Sequence, residues 1–173
     1  MEKSFLRRNL PLLYFPDGKY FITYRLANSL PQEKLTEIEI NPTKWDFEKF
    51  NRLFTKYDSL LDSGNFNINY LNQRELADIC KDTIHYPDGK DYTLICYCIM
   101  PNHIHLVFKL LPANKGISKI MQAIKGISAN KCNLLLHREG KFWKMKVMIV
   151  GLEMIKNCSL LLDMFYLIQL KLD

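Results

Sequence analysis

The chain has 173 residues, with 24 Lys and Arg against 18 Asp and Glu, giving a net charge of +6. That length suggests one domain, or one domain with a tail, large enough to bury a core without disulfides or a structural metal. A hydrophobic fraction of 48% and a mean hydropathy of −0.14 exclude a disordered chain, and the mild basic excess is compatible with a nucleic-acid partner.

No uncharged apolar run reaches the roughly 18 residues of a membrane span, so no membrane partner is expected. The first fifteen residues lack a continuous apolar stretch after their basic residues, so they do not read as a secretory signal; the expected location is the cytoplasm. The five cysteines, Cys80, Cys96, Cys98, Cys132 and Cys158, contain no C-x-x-C pair and read as reduced thiols.

In chain order, Asp17-Gly18 is a turn, and Lys19 to Leu26, rich in aromatic and β-branched residues, predicts a strand. Asp46 opens a helix to about Leu61, with Phe47, Phe50, Leu53, Phe54, Tyr57, Leu60 and Leu61 at helical spacing. Asn72 caps a second helix, with Leu76, Ile79, Cys80 and Ile84 on one face, and His85 to Gly89 closes it. Two apolar runs, Tyr92 to Met100 and Ile104 to Leu110, flank Pro101-Asn102 and predict an antiparallel pair. Asn114 or Ser118 then opens a helix to about Leu136, and Gly140 ends that segment. The order strand, helices, strand, strand, helix is an α+β plan.

The chemistry sits at Met100-Pro101-Asn102-His103-Ile104-His105-Leu106. On a strand, His103 and His105 are two apart and share a face, while Ile104 turns into the core. Two imidazoles on one face suit one divalent cation, with their nearest nitrogens roughly 3–5 Å apart. Two solvated histidines near a turn would look the same in sequence. Cys96 and Cys98, with both histidines, allow a zinc-stabilised structural domain as an alternative; two thiols packed in an apolar run would also look the same.

The stretch from Tyr92 to Phe108, with its M-P-N-H-x-H core, resembles the HUH core of IS200-like single-strand DNA transposases, and more closely the REP-associated tyrosine transposases. The resemblance runs from about Leu6 to Trp143. It includes Arg7-Arg8-Asn9-Leu10-Pro11, the strand Tyr20 to Leu26, Ile117 to Gln122, Lys125-Gly126 and Arg138 to Trp143. It implies a ferredoxin-like antiparallel sheet with helices packed on it. It also implies Mg²⁺ or Mn²⁺ held by His103, His105 and a side-chain amide from a later helix. A tyrosine on that helix would cut single-stranded or hairpin DNA through a 5′-phosphotyrosine link. Lys119, Lys125, Lys131 and Arg138 are the candidate phosphate contacts, with a solvated helix face as the ordinary alternative. A second copy of the chain, as a homodimer, is a further partner allowed.

The resemblance stops after Lys141-Phe142-Trp143. Relatives continue with a segment like N-E-S-Y-D-x-W-V-R-D and then R-Y-x-x-x-N-P-V-K-A-G, which carries the tyrosine and, four residues on, the amide. Here Met145 to Asp173 holds 19 hydrophobic residues among 29 and four of the seven methionines, without a clean period. Joining the last base of each codon to the first two of the next, from Lys144, restores the pattern. The genetic code then forces Glu from Met145, Asp from Met148 and Met154, Leu from Asn157, Val from Met164 and Leu from Phe165. All six agree with the relatives, without a gap.

The chain is therefore divided into a transposase domain, 1–143, and an aberrant apolar tail, 144–173, that looks like a frameshift product and is expected to pack poorly. The tyrosine codon would span Asp163 and Met164, so no residue of this chain is assigned as the nucleophile; Tyr166 is near but not equivalent. A genuine apolar tail packed on the domain is the other reading. A hairpin-binding remnant unable to cut is the functional alternative to an active enzyme.

Overall fold

The computed structural model describes residues 5–6, 12–13, 17–30, 55–57, 59–61 and 68–152. Two short strands, β1 (Phe5–Leu6) and β2 (Leu12–Leu13), form a small antiparallel ladder of their own. The main body follows the order β3 (Lys19–Arg25), α1 (Arg74–His85), β4 (Tyr92–Ile99), β5 (His103–Leu110), α2 (Ile117–Leu135) and β6 (Met148–Gly151). Its four strands lie in the order β4-β5-β3-β6, each antiparallel to its neighbour. A helix crosses between β3 and β4 and another between β5 and β6, so this is the ferredoxin-like α+β arrangement expected.

Period-two alternation divides the sheet's faces. Tyr20, Ile22 and Tyr24 of β3 join Ile104, Leu106 and Phe108 of β5 on the helical side. Leu76, Cys80 and Ile84 of α1 and Ile117, Ile120, Met121, Ile124 and Cys132 of α2 cover them. Phe142 and Trp143 complete this core; the Trp143 indole N–H donates to Ser128 Oγ at 2.9 Å. The other face carries Phe21, Val107 and Val150 in a smaller apolar cluster. β5 is thus buried on both sides at seven of its eight positions, as a central strand must be, and its histidines are buried with its apolar residues.

The helix starts differ from those expected. Asn72 ends a 3₁₀ turn, Tyr70–Asn72, and the first residue flanking α1 is Gln73, without a side-chain capping bond. Neither Asn114 nor Ser118 caps α2; Gly116 holds that place at φ 86°, a conformation that favours glycine. Asn114 Oδ1 instead accepts the Gly116 N–H at 2.8 Å, bracing the loop just before the helix. The helix expected from Asp46 lies largely outside the described residues, although 55–57 and 59–61 are helical.

β6 lies within the segment expected to pack poorly. Its pairs are Thr23↔Met148, Ile22↔Ile149, Phe21↔Val150 and Tyr20↔Gly151. The chain reaches it along β3: Leu26 bridges Trp143, and the Lys144 N–H donates to the Arg25 carbonyl at 2.9 Å. Residues 153–173 lie outside the described residues.

Candidate metal centre

β5 begins at His103, directly after the Pro101-Asn102 turn, and the Met100 N–H closes that turn on the His103 carbonyl at 2.9 Å. His103 and His105 therefore fall on the same face, opposite Arg25 and Thr23 of β3. Their side chains converge, as the spacing predicted. The two Nε2 atoms are 2.9 Å apart, at the short edge of the expected separation and marginally below it, with the rings at 80° to each other.

Each ring is held from behind. His103 Nδ1 lies 2.6 Å from Asn102 Oδ1, and His105 Nδ1 lies 2.9 Å from Thr23 Oγ1. The Asn102 amide nitrogen donates to the Leu61 carbonyl at 2.9 Å, which turns the amide oxygen towards His103. Phe21 stacks on His105 at 5.3 Å between ring centroids. All four polar groups are at least nine-tenths buried. Holding Nδ1 with an outer partner and aiming Nε2 inward is how metal-ligating histidines are oriented.

The distance fits a cation. Two nitrogens 2.9 Å apart, each about 2.1 Å from one ion, subtend about 90°, the angle between neighbouring ligands in an octahedral Mg²⁺ or Mn²⁺ shell. Among the described residues, no group of three or more His, Cys, Asp or Glu gathers to hold a metal. The histidine pair therefore supplies part of a coordination shell, and Cys96 and Cys98 do not extend it to a four-ligand zinc cage. Burial and the neighbouring Cys98 push the Cys96 thiol up to about 11 in the metal-free protein.

The basic candidates stand elsewhere. Lys119, Lys125 and Lys131 lie on α2, which covers the sheet face opposite the histidines. Lys119 and Lys131 are exposed, and Lys131 borders a largely apolar groove of about 300 Å³ between the helices. Lys125 is half-buried and donates to the Lys144 and Met145 carbonyls at 2.6 and 2.9 Å; burial pushes its ammonium down to about 8. Arg138 sits over the Tyr70 ring at 5.2 Å and donates to the Lys141 carbonyl at 3.4 Å. Sequence reasoning did not single out Thr23 or Asn102 as site residues. The only cue was Asn102 preceding His103, and Thr23 is 82 residues from its partner.

Residues 68–152, just under half the chain, match the family model of IS200-like transposases. Among solved structures, the chain is similar to the REP-associated tyrosine transposase bound to a REP hairpin. The identity is 15%, covering 95% of this chain and 68% of that one, with a TM-score of 0.46. It is also similar to a protein of Deinococcus radiodurans R1 provisionally described as a transposase, at 15% identity, 94% and 95% coverage and a TM-score of 0.45. No curated protein sequence matches. The convergent histidines and both strands that present them fall within the matched segment or pair directly with it, so the segment that resembles the IS200-like transposase family is the one that builds this site.

Proposed function

We propose that this chain derives from a tyrosine HUH transposase of the REP-associated kind, acting on single-stranded or hairpin DNA with Mg²⁺ or Mn²⁺. The observation that carries this reading is the pair of imidazoles with Nε2 atoms 2.9 Å apart and Nδ1 atoms anchored, on a strand of the matched segment. His103 and His105 would hold the cation, which when bound polarises a phosphoryl oxygen and offsets charge gained in the transition state. Asn102, Thr23 and Phe21 hold those rings in place. Lys119, Lys131 and Arg138 remain the phosphate contacts of this reading, whereas Lys125 is engaged by the chain at 144–145.

The finer part of the proposal is that this copy does not cut. The tyrosine and the third ligand both belong to the segment read out of frame, after domain 1–143, and two imidazoles leave most of the coordination shell to water. The chain as written should bind hairpin DNA in a salt-sensitive way and form no covalent adduct. Restoring the frame by one base at the Lys144 codon should give Mg²⁺- or Mn²⁺-dependent cleavage with DNA attached to the restored tyrosine. Equal cleavage by the unrestored chain, with the link mapped to Tyr166 or any other tyrosine, would overturn the frameshift reading. Stoichiometric zinc in purified protein would instead favour the structural-domain alternative resting on Cys96, Cys98, His103 and His105.

A further inference from the structure

Asn102 Oδ1 has no proton to give, and the amide nitrogen beside it is already directed to the Leu61 carbonyl. The 2.6 Å contact to His103 Nδ1 therefore requires the imidazole to donate. A neutral His103 then has its proton on Nδ1 and a bare lone pair on Nε2, aimed at His105. Thr23 is different in kind, because its hydroxyl both donates and accepts. With no cation, His105 Nε2–H donates to His103 Nε2 across the 2.9 Å gap, and His105 Nδ1 accepts from the Thr23 hydroxyl. With a cation between the rings, both Nε2 atoms must be bare, so the His105 proton must sit on Nδ1 and the Thr23 hydroxyl must accept.

We propose that Asn102 and Thr23 are the positioning residues of the metal site, Asn102 fixing His103 in one tautomer and Thr23 letting His105 exchange tautomers as a cation enters. This rests on the metal reading above. It assigns the two outer partners unequal jobs: one imidazole is preset for ligation, and the other holds a hydrogen bond to it that entry of a cation would replace. No net proton is released, since the His105 proton moves from Nε2 to Nδ1 through solvent.

The test is ¹⁵N NMR of both imidazoles in the full chain at about pH 8, above the usual histidine range, with Mn²⁺ affinity measured in parallel by electron paramagnetic resonance. In metal-free protein His103 should be protonated on Nδ1 and His105 on Nε2; on adding Mg²⁺, His105 should change to Nδ1 and His103 should not. Asn102→Ala should weaken Mn²⁺ binding about 10–100-fold, and Asn102→Asp should restore it. Thr23→Val should weaken binding without altering the His103 tautomer. His103 protonated on Nε2 while the chain binds Mn²⁺ would overturn the inference alone. A failure of the parent chain to bind Mn²⁺ would overturn the metal reading and the inference with it. The tautomer measurement uses the unsubstituted chain, so it stands even if Asn102→Ala fails to fold through loss of its bond to Leu61.

Discussion

Replacing His103 with alanine removes one of two nitrogens placed 2.9 Å apart, so a cation held at about 90° between them loses half of its protein ligands. The size of the effect follows from linkage. A ligand present at about 100 times its dissociation constant stabilises the folded state by about 2.7 kcal/mol. For 173 residues, at about 2.1 cal/mol/K per residue, that is a rise in melting temperature of about 7 °C. The assay is thermal unfolding with Mn²⁺ at about 100 times the dissociation constant of the parent chain, reading the increment over metal-free protein. His103→Ala also strands Asn102 Oδ1 and opens a cavity, which lowers the starting temperature; because only the increment is read, that loss cancels. The increment should vanish in His103→Ala and in His105→Ala. Its persistence in both single variants would mean that Mn²⁺ binds elsewhere, and the convergent pair would lose its role.

Tyr24 carries a buried hydroxyl that meets no hydrogen-bond partner among the described residues, and burial keeps it un-ionised far above the usual phenol range. Tyr24→Phe should therefore stabilise the fold by about 1 kcal/mol, a rise of about 3 °C, and a lower melting temperature would show the hydroxyl to be satisfied. Ser128→Ala deprives the Trp143 indole of its acceptor and should cost about 1–3 kcal/mol in urea unfolding; an unchanged midpoint would place that bond outside the energetics. Burial lowers the Lys125 ammonium to about 8 against an ordinary 10.5. Below pH 8 both folded and unfolded chains are protonated and the burial cost is fully present. Between about 8 and 10.5 the unfolded chain holds more protons, so stability should rise with pH. Solvent screening keeps the effect well below the full linkage value, because the side chain is only partly buried. The neutral amine keeps two N–H donors for the two carbonyls. The difference between the parent and Lys125→Met should change across that window, and a flat difference would remove Lys125 as its source.

The histidine pair was legible because strand periodicity is local: two residues at a spacing of two on an apolar run can face only one way. The pairing of β4 with β5 was legible for the same reason, through the short Pro101-Asn102 connection between two apolar runs. What escaped was whatever depends on distant partners. Thr23 looks like any β-branched residue of an apolar strand until β5 lies beside it. Lys125 reads as one more basic residue on a helix face until the chain at 144–145 is in place to draw its ammonium inward. β6 escaped for a different reason. Met148-Ile149-Val150-Gly151 has no alternation of polar and apolar residues to announce a strand; Ile149 packs on the main core and Val150 on the smaller cluster, a division that only the ladder with β3 reveals.

That ladder bears on how a gene of this type decays. The bonds between β3 and β6 join main-chain groups, the one part of a polypeptide that a change of reading frame leaves chemically intact. β6 thus closes the sheet at Gly151 through bonds that do not depend on which side chains it carries. On the frameshift reading proposed above, an insertion or deletion after Trp143 would remove the segment expected to carry the nucleophile while leaving a folded body with its histidines in place.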